Sequence, residues 1–386
     1  MERRDFIKFS GLSFLSLYSK DFFINKAFSE EKKNNYLILI ELKGGNDGLN
    51  TVIPYSNETY YKLRPEISIP RDNLIKISEN LALNPSMQEL YKIWEKKELA
   101  IITGVGYPNP NRSHFRSIEI WETASDSNKI LNDGWISRVF QKIKDKNKID
   151  GLILGGKDFG ALSGKNMKNL IIENTDQFMK QAGKIKKISQ KTSNKSLAHI
   201  LKVENEVYSS YEILDEYLEY VPEVKTVFPK TNIGNQALTA FKMISAKLPV
   251  SIIKLELGSF DTHINQRGNQ DRLLKELSDA IEILKKSLVE LNMWNNTTIM
   301  TYSEFGRRVA QNGSRGTDHG TASVHFVLGG KIKGGIYGTY PSLDDLIQGD
   351  LKYNIDYRSI YSSISKNLWN VSPDFLVKYP TIDFFL

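Results

Sequence analysis

The run "YLILIEL", residues 36–42, is apolar at every position but one, and it stops abruptly at Gly44-Gly45-Asn46-Asp47-Gly48. A continuous apolar stretch of strand length, without alternation, is what a strand buried on both faces requires. Burial on both faces calls for helices above and below. Similar short runs recur at 99–103, 152–154, 170–172, 252–257, 297–301 and 324–328. Long helical patterns lie between them at 197–220, 236–248 and 271–292. In the last, Leu273, Leu274, Leu277, Ile281, Leu284 and Leu288 fall close to one helical stripe. The alternation predicts an α/β fold, a mainly parallel sheet with helices on both faces. Residues 175–235 are lysine-rich and less regular, and read as a helical excursion from the sheet. No internal repeat or low-complexity linker divides the chain, so residues 30–386 read as one domain.

The first 29 residues read differently. Arg3 and Arg4 are followed by a modest apolar stretch at 11–18 and a small-x-small site, Ala27-Phe28-Ser29. The stretch is far too short to span a bilayer, which takes about 20 apolar residues. The pattern is that of a twin-arginine export signal over residues 1–29, with no stable transmembrane anchor. It makes the export machinery an expected partner and the periplasm, or another exported location, the expected destination.

The chain has no cysteine, which excludes disulfides, thiolate metal sites and a cysteine nucleophile. A bound metal would have to be held by histidine, carboxylate, hydroxyl or water. The formal net charge is +7, with the densest basic cluster at 183–191, "GKIKKISQK". No aromatic residue interleaves with those lysines as a base-stacking platform requires, so they read as a solvated surface and no nucleic acid is expected.

Ligands of open α/β sheets bind outside the carboxyl ends of the strands, so the residues just past each run matter most. Asp47 follows the first run, and Ser113 and His114 follow the second. "GSFDTH" places Asp261 and His263 after a later run. Glu304 follows Tyr302, and Asp318 and His319 precede the run at 324–328. Three of the chain's five histidines thus sit beside strand ends in the company of carboxylates. Carboxylates gathered in one cleft repel unless protons or cations neutralise them. Imidazoles among oxygen ligands suit zinc, manganese or iron, and a mostly oxygen set suits magnesium or calcium. Each residue also has a structural reading. Asp47 fits a turn, Ser113 and Asp261 fit helix caps, and Glu304 could pair with Arg307 or Arg308. His325 alternates within an apolar strand and reads as packed, while His199 reads as solvated. The lysine and Ser/Thr of a phosphate-binding loop are missing from "GGNDG", and no G-x-S-x-G elbow is present.

Seven blocks occur in order: "RRDFIKFSG", "ELKGGNDGLNTVIPY", "YPNPNRSHFRSIEIWETA", "GWISRVF", "LGSFDTH", "SEFGRRV" and "GTDHGTASVHFVLGG". Together they resemble the bacterial domain of unknown function 1501 family, regarded as a distant branch of the alkaline phosphatase and sulfatase superfamily. The resemblance implies a parallel sheet with divalent-metal ligands on strand-end loops and a hydroxyl nucleophile at a helix N-terminus. Mapped onto this chain, it implies Asp47, Asp261, His263, Glu304, Asp318 and His319 as metal ligands. It makes Ser113 the nearest match to the nucleophile, with His114 or Arg116 to bind the anion. Two departures stand out. Asp261 and His263 are two residues apart where the well-studied hydrolases have four, and Phe305 occupies the place of a histidine ligand. They imply that one of two metals is lost or differently bound.

Two functional expectations follow. One is an exported metal-dependent hydrolase of small phosphate or sulfate esters, with zinc, manganese, magnesium or calcium as the candidate ions. The other is a non-catalytic exported binding or assembly protein that keeps the fold. A companion exported protein is a further partner the resemblance implies.

Overall fold

A computed structural model describes residues 35–386, save 145, 146, 148, 166, 190, 191, 220 and 224. The expected export signal, 1–29, lies outside the described residues. β1, Tyr36–Leu42, is buried at every position and lies inside a nine-stranded sheet. The other strands are β2 (Leu99–Gly106), β3 (Gly151–Ile153), β4 (Asn169–Ile171), β5 (Ile252–Leu257), β6 (Thr297–Tyr302), β7 (Ser323–Gly329), β8 (Gly335–Tyr337) and β9 (Ile355–Asp356). Their order is β8-β2-β7-β6-β1-β5-β3-β4, with β9 also paired to β2.

β1 is parallel to both neighbours, with Leu39 opposite Lys254 on β5 and opposite Met300 on β6. Among the described residues of this sheet, β7 alone runs antiparallel, pairing with both β6 and β2. The reason is local. A parallel return needs a crossover, usually a helix, and residues 303–322 contain none. The chain therefore doubles back, and the start of β7 falls at the same sheet edge as the end of β6. That is how the glycine-rich stretch after Tyr302 brings residues 304 and 319 to one place.

Alternate residues of β1 feed two cores. Tyr36, Ile38, Ile40 and Leu42 pack with α1 (Gln88–Glu95), α4 (Asn232–Ser245) and α5 (Gln266–Glu290). Leu37 and Leu39 face α2 (His114–Thr123) and α6 (Tyr357–Trp369) on the other side. The predicted leucine stripe of α5 is buried throughout. That helix begins before the predicted position 271, because the polar Gln266 and Gln270 are also buried, hydrogen-bonded to Asp47. The excursion at 175–235 is helical as expected, with α3 (Lys195–Leu218) as its long member. Among the described residues, no helix is long and apolar enough to cross a membrane.

Candidate metal centre

The loops leaving β1, β5 and β6 meet at the carboxyl edge of the sheet. Gly44 has φ +115, and a Cβ there would lie 2.4 Å from the Asp261 backbone nitrogen. Gly45 has φ +77, and a Cβ there would lie 2.3 Å from the Phe305 ring. Only glycine permits both the conformation and the approach. The Gly44 N–H then donates to Glu304 Oε1 at 2.9 Å.

Three histidines line up on Asp261. His263 Nε2 lies 3.0 Å from Asp261 Oδ1 and 3.0 Å from His319 Nε2. His319 Nε2 lies 3.2 Å from the same oxygen. His114 Nε2 approaches Oδ2 at 3.4 Å. The ligand atoms of His114, Asp261 and His319 all fall within 4.8 Å of one another. The far side of each ring is also engaged. His319 Nδ1 is 2.8 Å from the Arg112 carbonyl, and His114 Nδ1 is 2.8 Å from Glu304 Oε1. His263 Nδ1 is 3.4 Å from Asp318 Oδ1.

A carbonyl or carboxylate oxygen only accepts, so a proton on Nδ1 serves the outer partner of each neutral ring and turns the Nε2 lone pair inward, whereas a proton on Nε2 serves Asp261 instead. With the protons on Nδ1, three Nε2 lone pairs and the Asp261 carboxylate face one region, an arrangement that a cation stabilises and apolar contact does not. The pattern of a carboxylate or carbonyl behind each histidine is the one that orients imidazoles toward a metal.

The electrostatics separate the rings. Burial raises the Asp261 pKa, but Arg307, His319 and His263 outweigh it and hold the carboxyl at about 2. His319 is lowered, chiefly by burial, which favours the neutral ligand form. His114 is raised, chiefly by its hydrogen bond to Glu304, so with no metal present that ring tends to take up a proton as the local positive charge.

The structure redistributes the expected roles. Asp261, His263 and His319 come together as the sequence suggests, and His114 joins them with its ring rather than as an anion binder. Glu304 and Asp318, expected as ligands, instead stand behind His114 and His263. Asp47 lies in a different set of contacts. Its carboxylate is gripped by the guanidinium of Arg64, whose Nη2 is 3.1 Å from Oδ1. It also accepts from Leu49 N and Gln266 Nε2. It caps the short helix Gly48–Thr51 inside a buried network, the turn reading of the sequence. Arg116 also has partners of its own. It pairs with Glu119 at 2.9 Å and donates from Nη2 to the carbonyls of Asp126, Ser127 and Lys129.

Ser113 is exposed at the N-cap position of α2. Its hydroxyl makes no capping bond, so the cap reading lacks its hydrogen bond. Phe305 packs against His114 and His319, with ring centroids 5.0 and 4.5 Å away. His325 is packed as expected, its pKa pushed down to about 3 by burial, and His199 is exposed. Sequence reasoning missed Arg307 and the Arg112 carbonyl. Arg307 was expected beside Glu304, yet its carboxylate partner is Asp261, and Arg308 instead donates to the Gln348 carbonyl. Backbone carbonyls leave no side-chain signature, so Arg112 was not findable.

The model of a family described as "Protein of unknown function (DUF1501)" matches residues 34–369. No curated protein sequence matches the chain. Solved structures that resemble it include Ps i-CgsB, 12% identical with a TM-score of 0.42, covering 90% of this chain and 75% of the other. Another is the PsFucS1 sulfatase from Pseudoalteromonas sp., 12% identical with a TM-score of 0.41, covering 91% and 71%. A protein in the alkaline phosphatase superfamily from Vibrio parahaemolyticus is 9% identical with a TM-score of 0.36, covering 80% and 63%. At these scores the likenesses carry no argument about what this chain binds or does.

Proposed function

The chain belongs to the DUF1501 family, and from that premise we propose that it is an exported, metal-dependent hydrolase of phosphate or sulfate esters. The observation that carries the reading is the convergence of the His114 and His319 rings on the Asp261 carboxylate at the sheet edge, with the His263 ring against both His319 and Asp261. His114, Asp261, His263 and His319 would hold the ion. Nitrogen-rich donors with a single carboxylate suit zinc better than manganese, magnesium or calcium. A divalent ion there would act as a Lewis acid toward an ester oxygen.

The chain's own residues do the rest. Glu304, Asp318 and the Arg112 carbonyl fix the three rings, so the ligands are held before an ion arrives. Ser113 is the proposed nucleophile, because its hydroxyl is exposed, free of the capping bond, and next in sequence to His114. The N-terminus of α2 favours negative charge beside that hydroxyl. Residues 1–29, with Arg3 and Arg4, are the proposed export signal. Replacing both arginines by lysine is expected to leave precursor in the cytoplasm, and normal export of that variant would refute the signal.

The test of the hydrolase reading is metal analysis of the purified chain, followed by aryl phosphate, phosphodiester and aryl sulfate substrates with and without chelator. Turnover that chelation abolishes and added metal restores is expected. A bound ion with no turnover on any ester would instead favour a second reading, a binding or assembly protein that keeps the ion. Phe305 is the observation on that side, since its buried ring covers the flank of His114 and His319 with an apolar surface.

A further inference from the structure

Arg307 is a fully buried cation at the edge of the cluster, and holding an ion does not by itself require it. Its side chain has no exposed surface. Nε donates to the Gly45 carbonyl at 2.7 Å and Nη1 to the Thr317 carbonyl at 2.9 Å. Nη2 donates to the carbonyls of Phe260, at 3.0 Å, and Gly44. The same Nη2 lies 2.7 Å from Asp261 Oδ1. One guanidinium thus ties the loop after β1, the loop after β5 and the segment before β7, and the fork leaves it one orientation.

Two consequences follow for Asp261. Its side chain is 45% exposed, so without a fixed partner it would sample other rotamers. With Oδ1 held by Arg307, Oδ2 is turned toward His114. The charges are also countable. Asp261, Glu304 and Asp318 face the three histidines, against the one guanidinium. That leaves two negative charges, which a single divalent ion neutralises and a second would overshoot.

Resting on the metal-dependent reading above, we propose that Arg307 is the positioning residue of the centre: it aims Asp261 and supplies a built-in positive charge, so that the site takes one divalent ion per chain.

The full chain, stripped with chelator, is titrated with Zn²⁺ and with Mn²⁺ by calorimetry, with metal content checked after dialysis. Co²⁺ provides a visible spectrum of the bound ion. The wild type is expected to take one ion. Arg307→Lys keeps the charge but loses the fork, and is expected to bind one ion at least tenfold more weakly, with an altered Co²⁺ spectrum. Arg64→Lys is the control, because Arg64 makes a similar buried set of bonds to Asp47 and to the carbonyls of Arg308 and Val309. It is expected to lower the melting temperature and leave metal affinity unchanged. If Arg307→Lys behaves like Arg64→Lys, Arg307 is structural and the proposal falls. Two tightly bound ions in the wild type would overturn it as well, while leaving the hydrolase reading intact. No bound ion in the wild type would overturn both.

Discussion

Two clusters of charge sit within a few residues of each other in this fold, and they are built on opposite logic. In the first, at the strand ends, the rings of His114, His263 and His319 converge on the Asp261 carboxylate. In the second, one ammonium fills the centre. Lys254 Nζ on β5, wholly buried, lies 3.0 Å from Glu41, 3.4 Å from Glu122 and 3.0 Å from Asp158. Tyr302 adds a hydrogen bond to Glu41 at 3.3 Å. Gly160 makes room, because a Cβ there would lie 2.1 Å from Glu122 Oε1. Burial disfavours the Lys254 charge, but the three carboxylates outweigh it and hold the amine protonated. The second cluster carries its cation at the centre, while in the first the one cation, Arg307, stands at the edge behind Asp261. Density of charge therefore says little about function; the direction of the lone pairs is informative.

The contrast is sharpest if the central cation of the closed cluster is removed. Lys254→Met strands carboxylates in the core, and breaking a buried ion pair costs on the order of 3–5 kcal/mol. Urea denaturation is expected to show that loss, with metal affinity of the surviving folded protein little changed. The open cluster should respond the other way round. His319→Ala is expected to weaken Zn²⁺ binding by more than the roughly 10–100-fold typical of a residue standing behind a ligand. The metal-free stability should fall by only about 1.5 kcal/mol, the upper worth of the Nδ1 bond to the Arg112 carbonyl that is lost with the ring. A large loss of metal-free stability in that variant would mean that the two clusters are built alike.

A smaller effect separates them by pH. Burial raises Glu122 to about 8, with Lys254 opposing and Glu41 and Asp158 adding to the rise. Between the ordinary value of 4.5 and about 8, the folded protein holds a proton that the unfolded chain has released. Stability contributed by this group therefore falls as pH rises through that window and levels off above it. The slope is at most about 1.4 kcal/mol per pH unit. Glu122→Gln should flatten it, measured as urea midpoints at pH 5, 6.5 and 8, and identical slopes would show that the closed cluster does not hold the proton. The smallest effect on stability belongs to Ser113→Ala. With no capping bond to lose, the change should stay within about 0.5 kcal/mol. If Ser113 is the nucleophile, any ester turnover should vanish while metal still binds. Retained turnover would move the attack to a metal-bound water or another hydroxyl.

The sequence by itself determined the parts that depend on near neighbours. The unbroken apolar run at 36–42 needed helices on both sides, and the leucines of α5 needed one buried face. The glycine-rich stretch after Tyr302 had no helix to carry a crossover, so Glu304 and His319 had to return to one edge. Tertiary structure decided which atoms face inward. Glu304 Oε1 meets the Gly44 N–H across 260 positions, and His114 across 190. Arg64 claims Asp47, and Arg307 claims Asp261 rather than Glu304. A carboxylate at a strand end reads the same whether it will hold an ion, orient an imidazole or pair with a buried arginine. The partner that settles the matter comes from distant chain, and only folding brings the two together.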